Sequence, residues 1–195
     1  MSRVVIIENG GANLASLVIA LERLGCTPQL SSDAQTIRAA SHVILPGVGA
    51  AADSMARLRA RGLHDLIPSL RQPVLGICLG MQLLYEASDE GNARCLSAIP
   101  GTAKRFTAAP DRPVPHMGWN QLEVKESWID PSVNGMNVYF VHSYFVPVNS
   151  YTSAITQYIQ PFSAAMHRDN FYAVQFHPEK SSVAGEKILE SFLKL

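Results

Sequence analysis

Pro73-Val74-Leu75-Gly76-Ile77-Cys78-Leu79-Gly80-Met81-Gln82-Leu83-Leu84-Tyr85-Glu86 is the stretch on which the fold turns. A proline opens an apolar run over 74–77, with the length and composition of a buried strand. Leu79, Leu83 and Leu84 then follow at helical spacing. Between the two stands Cys78, with Gly76 and Gly80 two residues to either side. A strand-to-helix turn this sharp tolerates no bulky neighbours, and it pushes its central side chain out above the sheet. A thiolate there faces unpaired backbone N–H groups and the positive end of the helix dipole, which stabilise it. The competing interpretation is a small core cysteine. Both glycines and the switch of periodicity favour a nucleophile.

A thiol nucleophile needs a base, and the base needs an orienting group. Far downstream stands Phe171-Tyr172-Ala173-Val174-Gln175-Phe176-His177-Pro178-Glu179-Lys180-Ser181. Pro178 biases His177 towards an extended conformation, and residues two apart in an extended chain point the same way. His177 and Glu179 are therefore expected side by side, the carboxylate on one ring nitrogen and the thiol facing the other. Alone, such a pair is an ordinary surface feature. Beside the cysteine elbow it completes a candidate triad.

Gly76-Ile77-Cys78-Leu79-Gly80-Met81-Gln82 together with Phe176-His177-Pro178-Glu179-Lys180-Ser181 resembles the class I, triad-type glutamine amidotransferases. Within that family, Pro46-Gly47-Val48-Gly49, His116-Met117-Gly118-Trp119-Asn120 and Tyr139-Phe140-Val141-His142-Ser143-Tyr144 are similar to the glutaminase subunits of imidazole glycerol phosphate synthases. The resemblance runs from Val4 to the last helix. It implies a flavodoxin-like α/β fold, in which an open, mostly parallel sheet is flanked by helices and carries a smaller antiparallel extension. It implies catalysis by Cys78, His177 and Glu179, with an oxyanion hole of backbone amides from Val48 or Gly49 and from Leu79. Glutamine would be held by Gly47, Gln82, His142, Ser143 and Tyr144, largely through main-chain atoms. Asn13, Trp119, Tyr139 and Lys180 would meet a (β/α)8-barrel cyclase subunit, with Trp119 as a candidate gate for ammonia. Two departures from the family pattern stand out: Ala51, where a bulky aromatic is common, and Glu8-Asn9-Gly10 in the first turn.

The remaining chain fits that frame. Its 195 residues are expected to form one domain over 1–195, large enough to bury about 70% of the unfolded surface. With 47% hydrophobic residues and 16 basic against 16 acidic ones, neither disorder nor a basic stripe for nucleic acid is indicated. Cys26, Cys78 and Cys95 form no Cys-x-x-Cys pair, so neither a disulfide framework nor a metal site is expected. No apolar run reaches the roughly 18 residues of a spanning helix, and the start is too short for a signal peptide; a cytoplasmic protein without a membrane partner is expected.

Strand, helix, strand, helix over 3–40 implies a parallel sheet with right-handed crossovers, Asn13 capping the first helix and Gly25 stopping it. Gly10-Gly11-Ala12 lacks the glycine spacing of a dinucleotide site. A third strand over 42–45 opens into Pro46-Gly47-Val48-Gly49, a plain turn or, beside the elbow, part of an oxyanion hole. The 55–70 segment is expected to be helical with breaks near Gly62 and Pro68, and 87–98 irregular. Residues 116–120 fit no simple pattern; Trp119 would ordinarily be a core lid, and His116 is expected to be structural. Segments 153–158, 163–166 and 172–176 are expected to form the small sheet that delivers His177. The final helix should turn Ala184, Ile188, Phe192 and Leu195 inward. The expected chemistry is hydrolysis of glutamine through a cysteine thioester, without a cofactor. Ammonia would pass to the second subunit, which makes imidazole glycerol phosphate and an aminoimidazole carboxamide ribotide. A glutaminase of another pathway, a cysteine peptidase and a binding module without chemistry are the alternatives; the intact Cys78, His177 and Glu179 argue against the last.

Overall fold

A computed structural model describes residues 3–10 and 14–195. The chain begins with β1 (Val4–Ile7), α1 (Ala15–Arg23), β2 (Gln29–Ser31), α2 (Ala34–Arg38) and β3 (His42–Gly47). Two helices, α3 (Ala51–Ala60) and α4 (Leu63–Ser69), lead to β4 (Val74–Cys78) and α5 (Leu79–Leu84). There follow β5 (Tyr85–Ser88), β6 (Ala93–Arg94), β7 (Ile99–Arg105), β8 (His116–Gln121), β9 (Glu123–Val124), β10 (Asn137–His142) and β11 (Tyr144–Phe145). The chain closes with β12 (Thr152–Gln157), β13 (Pro161–Arg168), β14 (Phe171–Val174) and α6 (Ser182–Leu193).

The main sheet runs β2-β1-β3-β4-β14-β13-β12-β9. Its first five strands are parallel and have the doubly wound order 2-1-3-4-5 of flavodoxin-like sheets. Strands β1, β3 and β4 are buried along their whole length, as expected where helices cover both faces. Alternate residues go to opposite sides: Val5, Val43 and Leu45 pack with α3 and α4, while Ile6, Ile44 and Leu75 pack with α1 and α6. Gly25 stops α1 with positive φ; its N–H bonds Glu22 and that of Cys26 bonds Leu21, satisfying the last carbonyls.

Several expectations change. Strands β12, β13 and β14 join the main sheet rather than forming a separate small one, because β14 pairs parallel with β4 and antiparallel with β13. The irregular 87–98 segment contains β6 and the end of β5, which belong to a second sheet of order β11-β7-β5-β6. Residues 116–121 are a regular strand paired antiparallel with β10. Its pattern is inverted: polar His116 points inward while Met117 and Trp119 are 63% and 55% exposed. Leu195 lies beyond α6 and is exposed, whereas Ala184, Ile188 and Phe192 are buried as expected. The atypical first turn is tied to α3: the Asn9 side chain donates to the Oγ of Ser54 at 2.7 Å, and Arg57 Nε donates to the Asn9 carbonyl at the same distance. Asn13 lies outside the described residues.

Backbones approach very closely at the crossing of β3, β4 and α5. A Cβ on Gly80 would lie 1.9 Å from the carbonyl oxygen of Leu45, and one on Gly76 or Gly47 would meet the Gly80 backbone at 2.8 or 2.7 Å. These contacts are with backbone, which cannot rotate away. Gly80→Ala is therefore expected to destabilise the chain by roughly 3 kcal/mol through overpacking. Urea unfolding measures it, and a parent-like midpoint would contradict the packing described.

Candidate active site

Strand β4 ends at Cys78, whose backbone is held at φ 54, ψ −111, and α5 begins at the next residue. A non-glycine residue in that region costs of order 1–3 kcal/mol and persists only where its surroundings impose it. The interlocked glycines impose it here. The first N–H groups of α5, that of Leu79 among them, have no partner within the helix. Cys78 itself is almost covered.

The parallel pairing of β14 with β4 sets Val174 beside Ile77, so the chain leaves β14 directly next to the elbow. The N–H of His177 donates to Tyr139 O at 2.9 Å. Ser181 Oγ donates to His177 O at 2.6 Å and accepts from Tyr139 N–H at 3.0 Å. A Cβ on Gly185 would fall 1.8 Å from Pro178 O, so only glycine lets α6 rest on this turn. His177 is extended, as expected, but 178–180 is a 3-10 turn. Turn geometry, rather than strand alternation, brings Glu179 Oε1 to 2.8 Å from His177 Nδ1. Burial disfavours the charged ring, but hydrogen bonds to Cys78 and Glu179 outweigh it and raise the His177 pKa to about 10. With Nδ1 held by Glu179, Nε2 is the ring nitrogen left to face Cys78. Sulfur, imidazole and carboxylate thus meet in the order a triad requires.

Cys78 and His177 open on a cleft of about 370 Å³, within the range of small-molecule sites, while Glu179 stands behind the imidazole. Val48, Gly49, Leu79 and Gln82 line the cleft, with the contiguous His142, Ser143 and Tyr144 as one wall. Gly47 does not reach this cleft; its place against Gly80 makes it a packing residue of the elbow. Two further residues at the site were not expected from the sequence. Glu90 arrives on a 3-10 turn after β5, lines the cleft and accepts from the N–H of Ala51 at 2.8 Å. Gln175, fully buried, points its amide at Cys78 from β14's end. Its one sequence clue is a polar residue inside the apolar run 174–176.

Behind the wall lies a buried histidine pair. His142 Nδ1 is 2.7 Å from Tyr144 O, which can only accept, so that nitrogen carries the proton. His142 Nε2 then accepts from His116 Nδ1 at 3.0 Å, and Asn120 Nδ2 sits 3.4 Å from His116 Nε2. Burial is the main cause that lowers both rings, to about 3 for His142, where the bond to Tyr144 O opposes it, and to about 4 for His116. His116 is structural, as expected. Cys26 and Cys95 are also buried; burial raises both thiols, Cys95 to about 11.

On the outer face, Trp119 packs edge-on against Tyr139 at 5.9 Å, and Lys180 Nζ lies 6.0 Å above the Tyr139 ring. With Met117 they form an exposed apolar patch, so three of the four expected interface residues are neighbours.

The neutral pair has a measurable signature. Between about pH 6.5 and 4 the unfolded chain takes up protons that folded His116 and His142 refuse, so stability present above 6.5 falls as pH drops. His177, with a raised pKa, acts in the opposite sense: its contribution is full below 6.5 and fades towards pH 10. His116→Phe should therefore make the acid loss of stability shallower between pH 6.5 and 4. Thermal unfolding across that window tests it, and an unchanged slope would contradict the assignment.

The chain is similar to known proteins over its whole length. Imidazole glycerol phosphate synthase subunit HisH of Bacteroides fragilis is 49% identical over 195 residues, covering 99% of this chain and 100% of that one. Subunit HisH 2 of Legionella pneumophila is 48% identical over 194 residues, covering 98% of each. Among solved structures, a glutamine amidotransferase superposes with a TM-score of 0.76 at 17% identity, covering 98% of this chain and 97% of that one. A glutamine amidotransferase of Thermotoga maritima gives 0.65 at 14% identity, covering 99% and 83%. At such identities these two likenesses bear on the fold alone. The family model described as glutamine amidotransferase class-I matches residues 5–195, and the chain belongs to that family.

Proposed function

We propose that this chain is the glutaminase subunit of an imidazole glycerol phosphate synthase, acting as one domain over 1–195. It hydrolyses glutamine to glutamate and ammonia and passes the ammonia to a cyclase subunit. The observation that carries the proposal is Cys78 on its strained elbow, open to a cleft of about 370 Å³ that His177 also lines, with Glu179 orienting the imidazole. The Cys78 thiolate attacks the side-chain amide carbon of glutamine. Amides of Val48 or Gly49 and of Leu79 stabilise the oxyanion, each such donor being worth about 2.7–4 kcal/mol. His177 gives its Nε2 proton to the departing nitrogen, the C–N bond breaks, and ammonia leaves a thioester. The neutral imidazole then takes a proton from water, which attacks the thioester; glutamate departs and the thiolate–imidazolium pair returns. Glu179 fixes the tautomer and offsets the ring's charge throughout. No cofactor takes part.

Substrate recognition follows from what lines the cleft. Glu90 is its acidic residue and suits the α-ammonium group, while His142, Ser143 and Tyr144 offer strand backbone to the carboxylate end. Ammonia loses its nucleophilicity on protonation, so delivery into a second polypeptide is required. The family resemblance supports a (β/α)8-barrel as that partner. The Met117, Trp119, Tyr139 and Lys180 patch is the proposed contact, with Asn13 beside it in the family pattern. No helix of the described residues is long and apolar enough to cross a membrane, and the chain is proposed to work in the cytoplasm.

Cys78→Ala should abolish glutamate release from glutamine, assayed with the barrel subunit and its nucleotide ligand present. Parent-like turnover would end the proposal. Trp119→Ala should weaken binding of the purified barrel subunit by about 2 kcal/mol, the scale of an aromatic anchor. Calorimetric titration measures it; an unchanged Kd would remove this patch from the interface.

A further inference from the structure

We infer that Gln175 is a catalytic residue: its amide N–H donates to Cys78 Sγ and favours the thiolate form of the nucleophile, while its carbonyl oxygen fixes the orientation of Gln82. The inference rests on Cys78 being the glutaminase nucleophile.

The direction of this hydrogen-bond chain is set by one atom that can only accept. Tyr144 O lies 2.9 Å from the amide nitrogen of Gln82 and 2.7 Å from His142 Nδ1, so both of its lone pairs are used. Gln82 must therefore turn its NH2 group towards that carbonyl. The second hydrogen of the same nitrogen meets Gln175 at 2.9 Å. Two NH2 groups cannot face one another, so Gln175 presents Oε1 there, and its own NH2 is left 3.8 Å from Cys78 Sγ. Sulfur is then the acceptor of a long hydrogen bond, and a thiolate accepts far better than a thiol. The carbonyl of Val141, 3.9 Å from Sγ, can receive a bond only from a thiol. Sulfur stands between one neighbour that favours each state, with protonated His177 on the thiolate side. Gln175 is fully buried, so water cannot supply the donor in its place.

The same chain has a consequence for substrate. Both N–H groups of Gln82 are consumed, so only its carbonyl oxygen remains for the cleft it lines. That oxygen recognises an N–H donor of the bound amino acid. Gln175 thereby favours the charged nucleophile and sets the polarity of the cleft lining beside it.

The test is the pH dependence of Cys78 alkylation by iodoacetamide in the purified chain, read by peptide mass spectrometry. Gln175→Glu keeps side-chain length and an acceptor for Gln82, but loses the donor and adds charge beside sulfur. Gln175→Met cannot donate whatever its protonation, and decides the case should the buried glutamate take up a proton. The expected result is a midpoint about one unit higher in both variants, tenfold less thiolate below it, with kcat down about tenfold near pH 7. Alkylation profiles superimposable on the parent in both variants would overturn the role, since support of Gln82 alone leaves the profile unmoved. Cys78→Ala is assayed alongside. Glutamine turnover in that variant at the parent rate would remove the nucleophile reading itself; an inactive Cys78→Ala beside unshifted Gln175 profiles would remove only Gln175.

Discussion

The approach of helix α5 to the carboxyl end of β3 is the contact on which the site depends. Gly80 leaves no room for a single methyl group beside Leu45 O, and that closeness forces the chain to reverse at Cys78 with φ 54. The strain is local, and the buried sheet on either side maintains it. From this one crossing follow the placement of Cys78 against the cleft, the free N–H groups at the start of α5, and the position of Gln82 one turn along. The other half of the site is aligned by a second constraint, the parallel register of β14 on β4. Backbone pairing of His177 with Tyr139 and the Ser181 clamp then fix the imidazole.

Polar burial at this site is extensive, and among the triad atoms Glu179 Oε2 is buried without a hydrogen-bond partner. Sulfur, Gln175, Gln82, Tyr144 O, His142, His116 and Asn120 form one contiguous series of contacts from the nucleophile to β8. Such networks stabilise a single arrangement when every member is paired. The neutral histidine pair also keeps further positive charge away from His177, whose own charge is what the triad uses. Strand β8 belongs to both worlds: its inward residues close the network, and its outward residues form the apolar patch.

Much of this was legible in the amino-acid order. Fully apolar runs at β1, β3 and β4 and the stripe of α1 specified a parallel α/β sheet, and the glycines around Cys78 specified the elbow. What escaped has physical causes. In β8 the apolar side chains face out and the polar ones in, so a rule that sends apolar residues to the core returns no pattern. Strands β5 and β6 are too short and too polar to show alternation. The β12–β14 strands read as antiparallel, and nothing local reveals that β14 completes the parallel sheet. Glu179 reached His177 through a turn rather than through strand alternation. Glu90 and Gln175 act through directions set by distant segments, which residue type alone does not encode.

The central claim is that Cys78 carries the γ-glutamyl group of the substrate during turnover. Rapid quenching of the chain with its barrel partner, nucleotide ligand and glutamine, followed by peptide mass spectrometry, addresses it directly. The account predicts a glutamyl adduct on the Cys78 peptide that forms and decays at rates compatible with turnover. Steady glutamate production with that peptide never modified, under quenching that preserves thioesters, would contradict it.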